Sequence, residues 1–163
     1  MGVRRYVYKG KILSLAIEDD HWEIVEHKDA VALLVQDPDR GVLFVRQYRP
    51  AIGAHTLEIP AGLIEAGESP RDAAKRELAE ETQLGGRLTL LAEFYVSPGF
   101  TDEKTYLFRV EEIESVPGEP DPDEDLEIVW MDPTEALARM RSGLLNISAS
   151  TMVGILYAIG DRS

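Results

Sequence analysis

The chain has 163 residues, 44% hydrophobic and 29% charged, which suits one domain with a real core and excludes a disordered or fibrous chain. The absence of cysteine excludes disulfides and thiolate metal sites and fits a cytoplasmic protein. A net charge of −13 leaves no basic stripe for a nucleic-acid backbone, and no apolar run reaches the ~18 residues of a membrane span, so neither partner is expected.

Residues 5–9 and 12–18, separated by Gly10-Lys11, read as a hairpin, and Trp22 to Glu26 reads as a third strand after the Asp19-Asp20 turn. Their aromatics, Tyr6, Tyr8 and Trp22, suit either ordinary strand packing or a contact with a partner subunit. The run from Ala30 to Val35 is apolar throughout, as in a strand covered on both faces. Val42 to Tyr48 returns after the turn at Pro38-Asp39-Arg40-Gly41. Arg46 and Arg49 near its end can bind phosphate oxygens through their guanidinium forks, or form surface salt bridges.

Leu57-Glu58-Ile59-Pro60 leads into a glycine-containing loop, and a helix then starts with Ser69 as N-cap, Pro70 at N1 and Asp72 at N3. At about 100° per residue, Glu77, Glu80 and Glu81 share one arc of that helix, with Glu77 and Glu81 one turn apart. Like charges at this spacing repel, and negative charge near a helix C-terminus opposes its dipole. A hard divalent cation would remove the conflict and keep waters for a phosphate substrate. A solvated acidic face is the competing reading.

Leu88 to Val96 and Lys104 to Val110 read as strands, joined by Ser97-Pro98-Gly99-Phe100-Thr101-Asp102-Glu103. From Glu111 to Glu135 there are eleven acidic residues and no Lys or Arg, and the remainder of the chain nets −2. Asp121, Asp123 and Asp125 imitate the opening of a calcium-binding loop, but Leu126 stands where glycine is required and no helix leads in, so that reading fails. The stretch is either a solvated loop or the source of one carboxylate for a nearby site. Leu126 to Met131 forms the last strand, Asp132-Pro133 starts a helix to about Arg141, and Ser148 or Ser150 caps a final apolar helix through Ile159.

Gly62, then five residues to Glu68, then seven residues to Arg76-Glu77-Leu78-Ala79-Glu80-Glu81, together resemble the signature of the Nudix hydrolases. One position departs: Gln83 stands where the family usually has glycine, and the helix exit is expected to be rebuilt around Gly85-Gly86. With Arg46-Gln47-Tyr48-Arg49-Pro50, Leu57 to Gly62 and Ser97-Pro98-Gly99, the chain resembles the ADP-ribose pyrophosphatase branch.

The resemblance implies an α/β fold, an α/β/α sandwich with a mixed sheet spanning 29–163, and a β arm over 1–28 exchanged in a homodimer. It implies a nucleoside diphosphate substrate, ADP-ribose, split to AMP and ribose 5-phosphate with Mg²⁺, or Mn²⁺ in its place. The metal ligands would be Glu77, Glu80, Glu81 and the Ala61 carbonyl, with Gly62, Glu68 and Arg76 as scaffold. Glu124 would be the base, with Asp123 its rival and Glu80 the candidate if the acidic loop is only a charged surface. Arg49 would hold phosphate, Leu63 would line the pocket, Trp22 and Glu23 would approach the adenine, and Ser97, Pro98, Gly99 and Glu103 would lie near the ribose. The alternatives are hydrolysis of another nucleotide sugar, a dinucleotide or a triphosphate, and a ligand-binding regulator without turnover.

Overall fold

The computed structural model describes residues 2–118 and 126–160. Its first strands, β1 (Arg4–Lys9), β2 (Leu13–Glu18) and β3 (Trp22–His27), form an antiparallel sheet of their own. Asp19 and Asp20, both at positive φ (54° and 53°), turn the β2–β3 hairpin, a conformation their short polar side chains tolerate. β1 is exposed along its whole length. The small sheet is tied to the rest of the chain through β3, where the Val25 N–H donates to the Phe100 carbonyl at 2.7 Å and the His27 N–H donates to Asp102 Oδ1 at 2.9 Å.

The larger sheet is built on β4 (Ala30–Asp37) and β5 (Gly41–Arg49), followed in the chain by β6 (Ala54–Glu58) and β7 (Ala61–Leu63). After helix α1 (Pro70–Thr82) come β8 (Leu84–Tyr95), β9 (Lys104–Ser115) and β10 (Glu127–Met131), then α2 (Pro133–Arg141) and α3 (Ala149–Gly160). Its strand order is β10-β5-β4-β9-β8, with β6 on β5 and β7 on β4, and β4 runs parallel to β9 while the other pairs are antiparallel. The sheet is therefore mixed, as expected.

The apolar run of β4 is explained by two cores. Val31, Leu33 and Val35 pack with Ala73, Ala74 and Leu78 of α1, while Ala32 and Leu34 point the other way, into the cluster holding Ala136 of α2 and Ile155 and Ala158 of α3. Alternate side chains of one strand thus enter helix-covered layers on opposite faces. The fold is an α/β/α sandwich carrying a separate N-terminal sheet. Among the described residues, no helix is long and apolar enough to cross a membrane.

Three local expectations need correction. The lead-in to the motif is strand on both sides of Pro60: lacking an N–H, this proline interrupts the edge, yet its carbonyl still accepts from the Leu33 N–H at 2.8 Å. β8 begins at Leu84 rather than Leu88, taking Gly85-Gly86 into the strand across a register shift. The helix exit is not rebuilt downstream, because Gln83 itself adopts the left-handed conformation (φ 56°, ψ 32°) and donates its N–H to the Ala79 carbonyl at 2.9 Å. A side chain at positive φ is strained, so Gln83→Gly is expected to stabilise the fold by about 0.5–1 kcal/mol. Denaturant unfolding with an unchanged or lowered midpoint would contradict that assignment of strain.

Candidate active site

Helix α1 begins as its sequence dictates: the Ser69 hydroxyl accepts from the Asp72 N–H at 3.2 Å, with Pro70 at the first helical position. Ala73, Ala74, Leu78 and Thr82 turn into the core. This sets Glu77, Glu80 and Glu81, all partly buried, on the flank against β7. Glu68, in the loop before the helix, receives two hydrogen bonds from Arg76 at 3.0 Å each, while its Oε2 also accepts from the Glu65 N–H at 3.0 Å. The Arg76 guanidinium holds the Glu68 carboxyl below the ordinary carboxylate range.

The same guanidinium donates to Glu77 Oε1 at 2.7 Å, to Glu80 Oε2 at 3.0 Å and to the Leu63 carbonyl at 2.9 Å. One cation therefore joins three carboxylates to the motif loop. Among the described residues, no group of three or more acidic or imidazole side chains is arranged to receive a cation. Glu81 turns to the loop instead, accepting from the Ala61 N–H at 3.3 Å.

Gly62 has no side chain for a steric reason. A Cβ there would lie 2.0 Å from Glu77 Cδ and 2.1 and 2.2 Å from its oxygens. The backbone passes directly over the carboxylate, and any side chain would expel it. A comparable approach occurs at Gly118, where a Cβ would lie 1.8 Å from the Ala79 carbonyl oxygen. The chain thus leaves β9 pressed against the C-terminal end of α1, at the threshold of the acidic stretch. Glu124 and Asp123 lie outside the described residues.

Ala61, Gly62, Leu63, Arg76, Glu77 and Glu80 border one cavity of about 720 Å³. Arg49 and Glu103 border it as well, from β5 and the start of β9. Arg49 is aimed by Glu58: its Nε and Nη2 donate to the two carboxylate oxygens at 2.8 Å each, and the Thr56 hydroxyl donates to Glu58 Oε1 at 2.6 Å. Burial alone would raise the Glu58 carboxyl, but these bonds outweigh it and hold the group below its ordinary range. Trp22, Glu23, Pro98 and Gly99 do not reach this cavity. They border a second one, of about 480 Å³, on the outer side of the 96–103 loop, while Ser97 lies at the base of that loop and accepts through its carbonyl from the Phe100 and Thr101 N–H groups at 3.1 Å.

Two residues at the cavity escape the sequence reading. Glu58 had a usable signal, a lone acid between the apolar Leu57 and Ile59, since a buried carboxylate demands a cationic partner. His27 had none: a single histidine at a strand end says nothing about what its ring faces.

The NUDIX domain matches residues 26–150, well over half of the chain. The chain belongs to the Nudix family. An ADP-ribose pyrophosphatase of Bacillus subtilis (strain 168) is 37% identical to it over 131 residues, covering 75% of this chain and 71% of that relative. A methanol dehydrogenase activator of Bacillus methanolicus is 31% identical over 163 residues, covering 93% and 87%. The crystal structure of an ADP compounds hydrolase matches with a TM-score of 0.78 at 20% identity, covering 98% of this chain and 91% of its own, a likeness of fold. At the motif position that departs from the family pattern, Gln83 itself takes up the left-handed turn.

Proposed function

We propose that the chain is a Mg²⁺-dependent ADP-ribose pyrophosphatase, splitting the diphosphate of ADP-ribose into AMP and ribose 5-phosphate, with Mn²⁺ able to substitute. The observation that carries this reading is the 720 Å³ cavity, which gathers the Glu77–Glu80 face, the Arg49 guanidinium and the Glu103 carboxylate around one space. That volume lies within the range of small-molecule sites, roughly 300–1,000 Å³. A cytoplasmic location belongs to the same reading.

Glu77, Glu80, Glu81 and the Ala61 carbonyl would hold the ion. The donors are all oxygens, and Glu77 and Glu80 already crowd one Arg76 guanidinium, a set that suits a hard divalent cation. When bound, the metal offsets the diphosphate charge and makes the attacking water more acidic. Glu68 and Arg76 keep the loop on the helix. Arg49, oriented by Glu58, binds a phosphate oxygen, and Leu63 forms an apolar wall. Glu124 removes the proton from the water, with Asp123 as its rival and Glu80 the base if neither reaches.

Trp22 and Glu23 would approach the adenine, with Ser97, Pro98, Gly99 and Glu103 near the ribose. Their division between two cavities supports a homodimer in which the arm over residues 1–28 completes the partner's site, leaving 29–163 as the hydrolase domain. Deleting residues 1–26 is then expected to abolish both dimerisation and adenine recognition, whereas sedimentation of an active full-length monomer would refute the exchange.

Gly62→Ala is expected to drive the Glu77 carboxylate out of place and lower kcat about 10²-fold, the scale of an ångström-sized misplacement. A crystal structure of the variant with Glu77 unmoved, or kcat within threefold of wild type, would contradict this.

The test of substrate is a comparison of kcat/KM for ADP-ribose, other nucleotide sugars, a dinucleotide and a deoxynucleoside triphosphate, with Mg²⁺ and with Mn²⁺. ADP-ribose is expected to lead, and a lead by any other compound would replace it. A second reading, a regulator that acts on another enzyme, is favoured by the similarity to the methanol dehydrogenase activator across most of both chains. Absence of turnover on the whole panel would favour it.

A further inference from the structure

His27 closes β3 at the rim of the large cavity, and it touches the 96–103 loop with both its backbone and its ring. Its N–H donates to Asp102 Oδ1 at 2.9 Å. Its ring Nδ1 lies 2.8 Å from the Lys28 carbonyl oxygen and 3.4 Å from Glu103 Oε2. A carbonyl can only accept, so Nδ1 carries a hydrogen and donates, which sets the tautomer of the neutral ring and turns its N–H edge toward Glu103. The side chains of His27 and Glu103 are 17% and 23% exposed, and both border the cavity.

We propose that His27 is a positioning residue for substrate binding: its imidazole, anchored by the Lys28 carbonyl, keeps the Glu103 carboxylate aimed into the cavity and charged, ready to accept from a sugar hydroxyl. This rests on the reading of the cavity as the hydrolytic site. Burial pushes the Glu103 carboxyl above the ordinary carboxylate range; His27 opposes the rise, and Asp29 adds to it. Asp29 is itself held in place, accepting from the Lys104 N–H at 3.1 Å. Besides this carboxylate, the charged neighbours of the pair are Lys28, Asp102 and Lys104, whose Nζ lies 3.6 Å from Glu93. None of them places a cation on Glu103, so the imidazole is the group that restrains its protonation. A raised carboxyl loses its charge early as pH falls, and the imidazole beside it opposes that loss.

The experiment compares wild type, His27→Ala, His27→Asn, Glu103→Gln and the His27→Ala/Glu103→Gln double variant on ADP-ribose with Mg²⁺, between about pH 5.5 and 8. His27→Ala is expected to raise KM about tenfold with kcat within twofold, the pattern of a lost contact that acts equally on bound substrate and transition state. His27→Asn keeps an N–H but cannot gain charge: its KM should match wild type at pH 8 and climb at a higher pH than wild type as the solution is acidified. The double variant should be no worse than Glu103→Gln alone. A KM unchanged in His27→Ala, additive losses in the double variant, or superimposable pH curves for wild type and His27→Asn would each overturn the proposal. If wild type proves inert toward ADP-ribose, the proposed function fails, while NMR titration of the Glu103 carboxyl carbon still decides the pairing. That carboxyl should titrate higher in His27→Asn than in wild type, and an unchanged midpoint overturns the role of His27.

Discussion

Glu81→Gln is expected to lower kcat at least 10²-fold while leaving the fold intact, the scale of losing one essential catalytic group. The two effects separate because the side chain serves two purposes. Its Oε2 accepts from the Ala61 N–H at 3.3 Å, and the amide oxygen of glutamine can accept the same bond. Its charge, however, is lost, and with it one of the ligands proposed for the divalent cation. Without metal, that loss also relieves repulsion from Glu77 one turn earlier and the conflict with the C-terminal end of the helix dipole, so thermal stability should hold or rise by a few tenths of a kcal/mol. A variant that keeps more than about a tenth of the wild-type rate would remove Glu81 from the set of ligands.

The other large effect is structural. Arg76→Ala withdraws five donated hydrogen bonds from Glu68, Glu77, Glu80 and the Leu63 carbonyl, and leaves the partly buried Glu68 and Glu77 without their cation. These bonds act as a unit, so their worth is not a sum. We expect a loss of about 3 kcal/mol, within the range for breaking charged hydrogen bonds at partly buried sites, and a melting point lower by roughly 6–12 °C. The loss should depend on pH. Arg76 depresses the Glu68 carboxyl below its ordinary value of 4.5, so its contribution is present above that value and vanishes as pH falls through the lower, folded-state one. The gap between wild type and variant should therefore narrow in acid. A gap that widens with acidification, or a variant as stable as wild type at pH 7, would contradict the account of Arg76 as the tie between loop and helix.

How far the sequence could be read depended on whether a feature was local. The start of α1 was legible because Ser69, Pro70 and Asp72 supply the cap, the fixed φ and the first-turn charge within four residues. β4 was legible because six consecutive apolar residues admit a strand covered on both sides, and the two cores on its faces are that cover. β6 and β7 were not, since Pro60 masks a strand pattern that exists only through pairing with β5 and β4. Spacing placed Glu77, Glu80 and Glu81 on one flank, but it could not show that Arg76 would gather Glu68, Glu77 and Glu80 at once. That gathering depends on the loop carrying Leu63 and Glu68 folding back over the helix. Gly62 was legible as a motif position; its reason, the Glu77 carboxylate beneath it, required coordinates. Arg49 was found as a cation at a strand end, whereas its orientation by Glu58 nine residues later belongs to the β5–β6 pairing. The separation of Trp22, Glu23, Pro98 and Gly99 from the carboxylate face was invisible in the sequence, because it arises from the docking of β3 on the 96–103 loop.

Metal-dependent hydrolysis is the reaction proposed for the α1 carboxylate face. Its most direct test is to quantify the products formed from ADP-ribose by the purified full-length chain with Mg²⁺, with EDTA, and after Mg²⁺ is restored. AMP and ribose 5-phosphate are expected in equal amounts, with formation stopped by EDTA and fully recovered with excess Mg²⁺. Cleavage that proceeds unchanged in EDTA, or no cleavage of ADP-ribose under any of the three conditions, would contradict it.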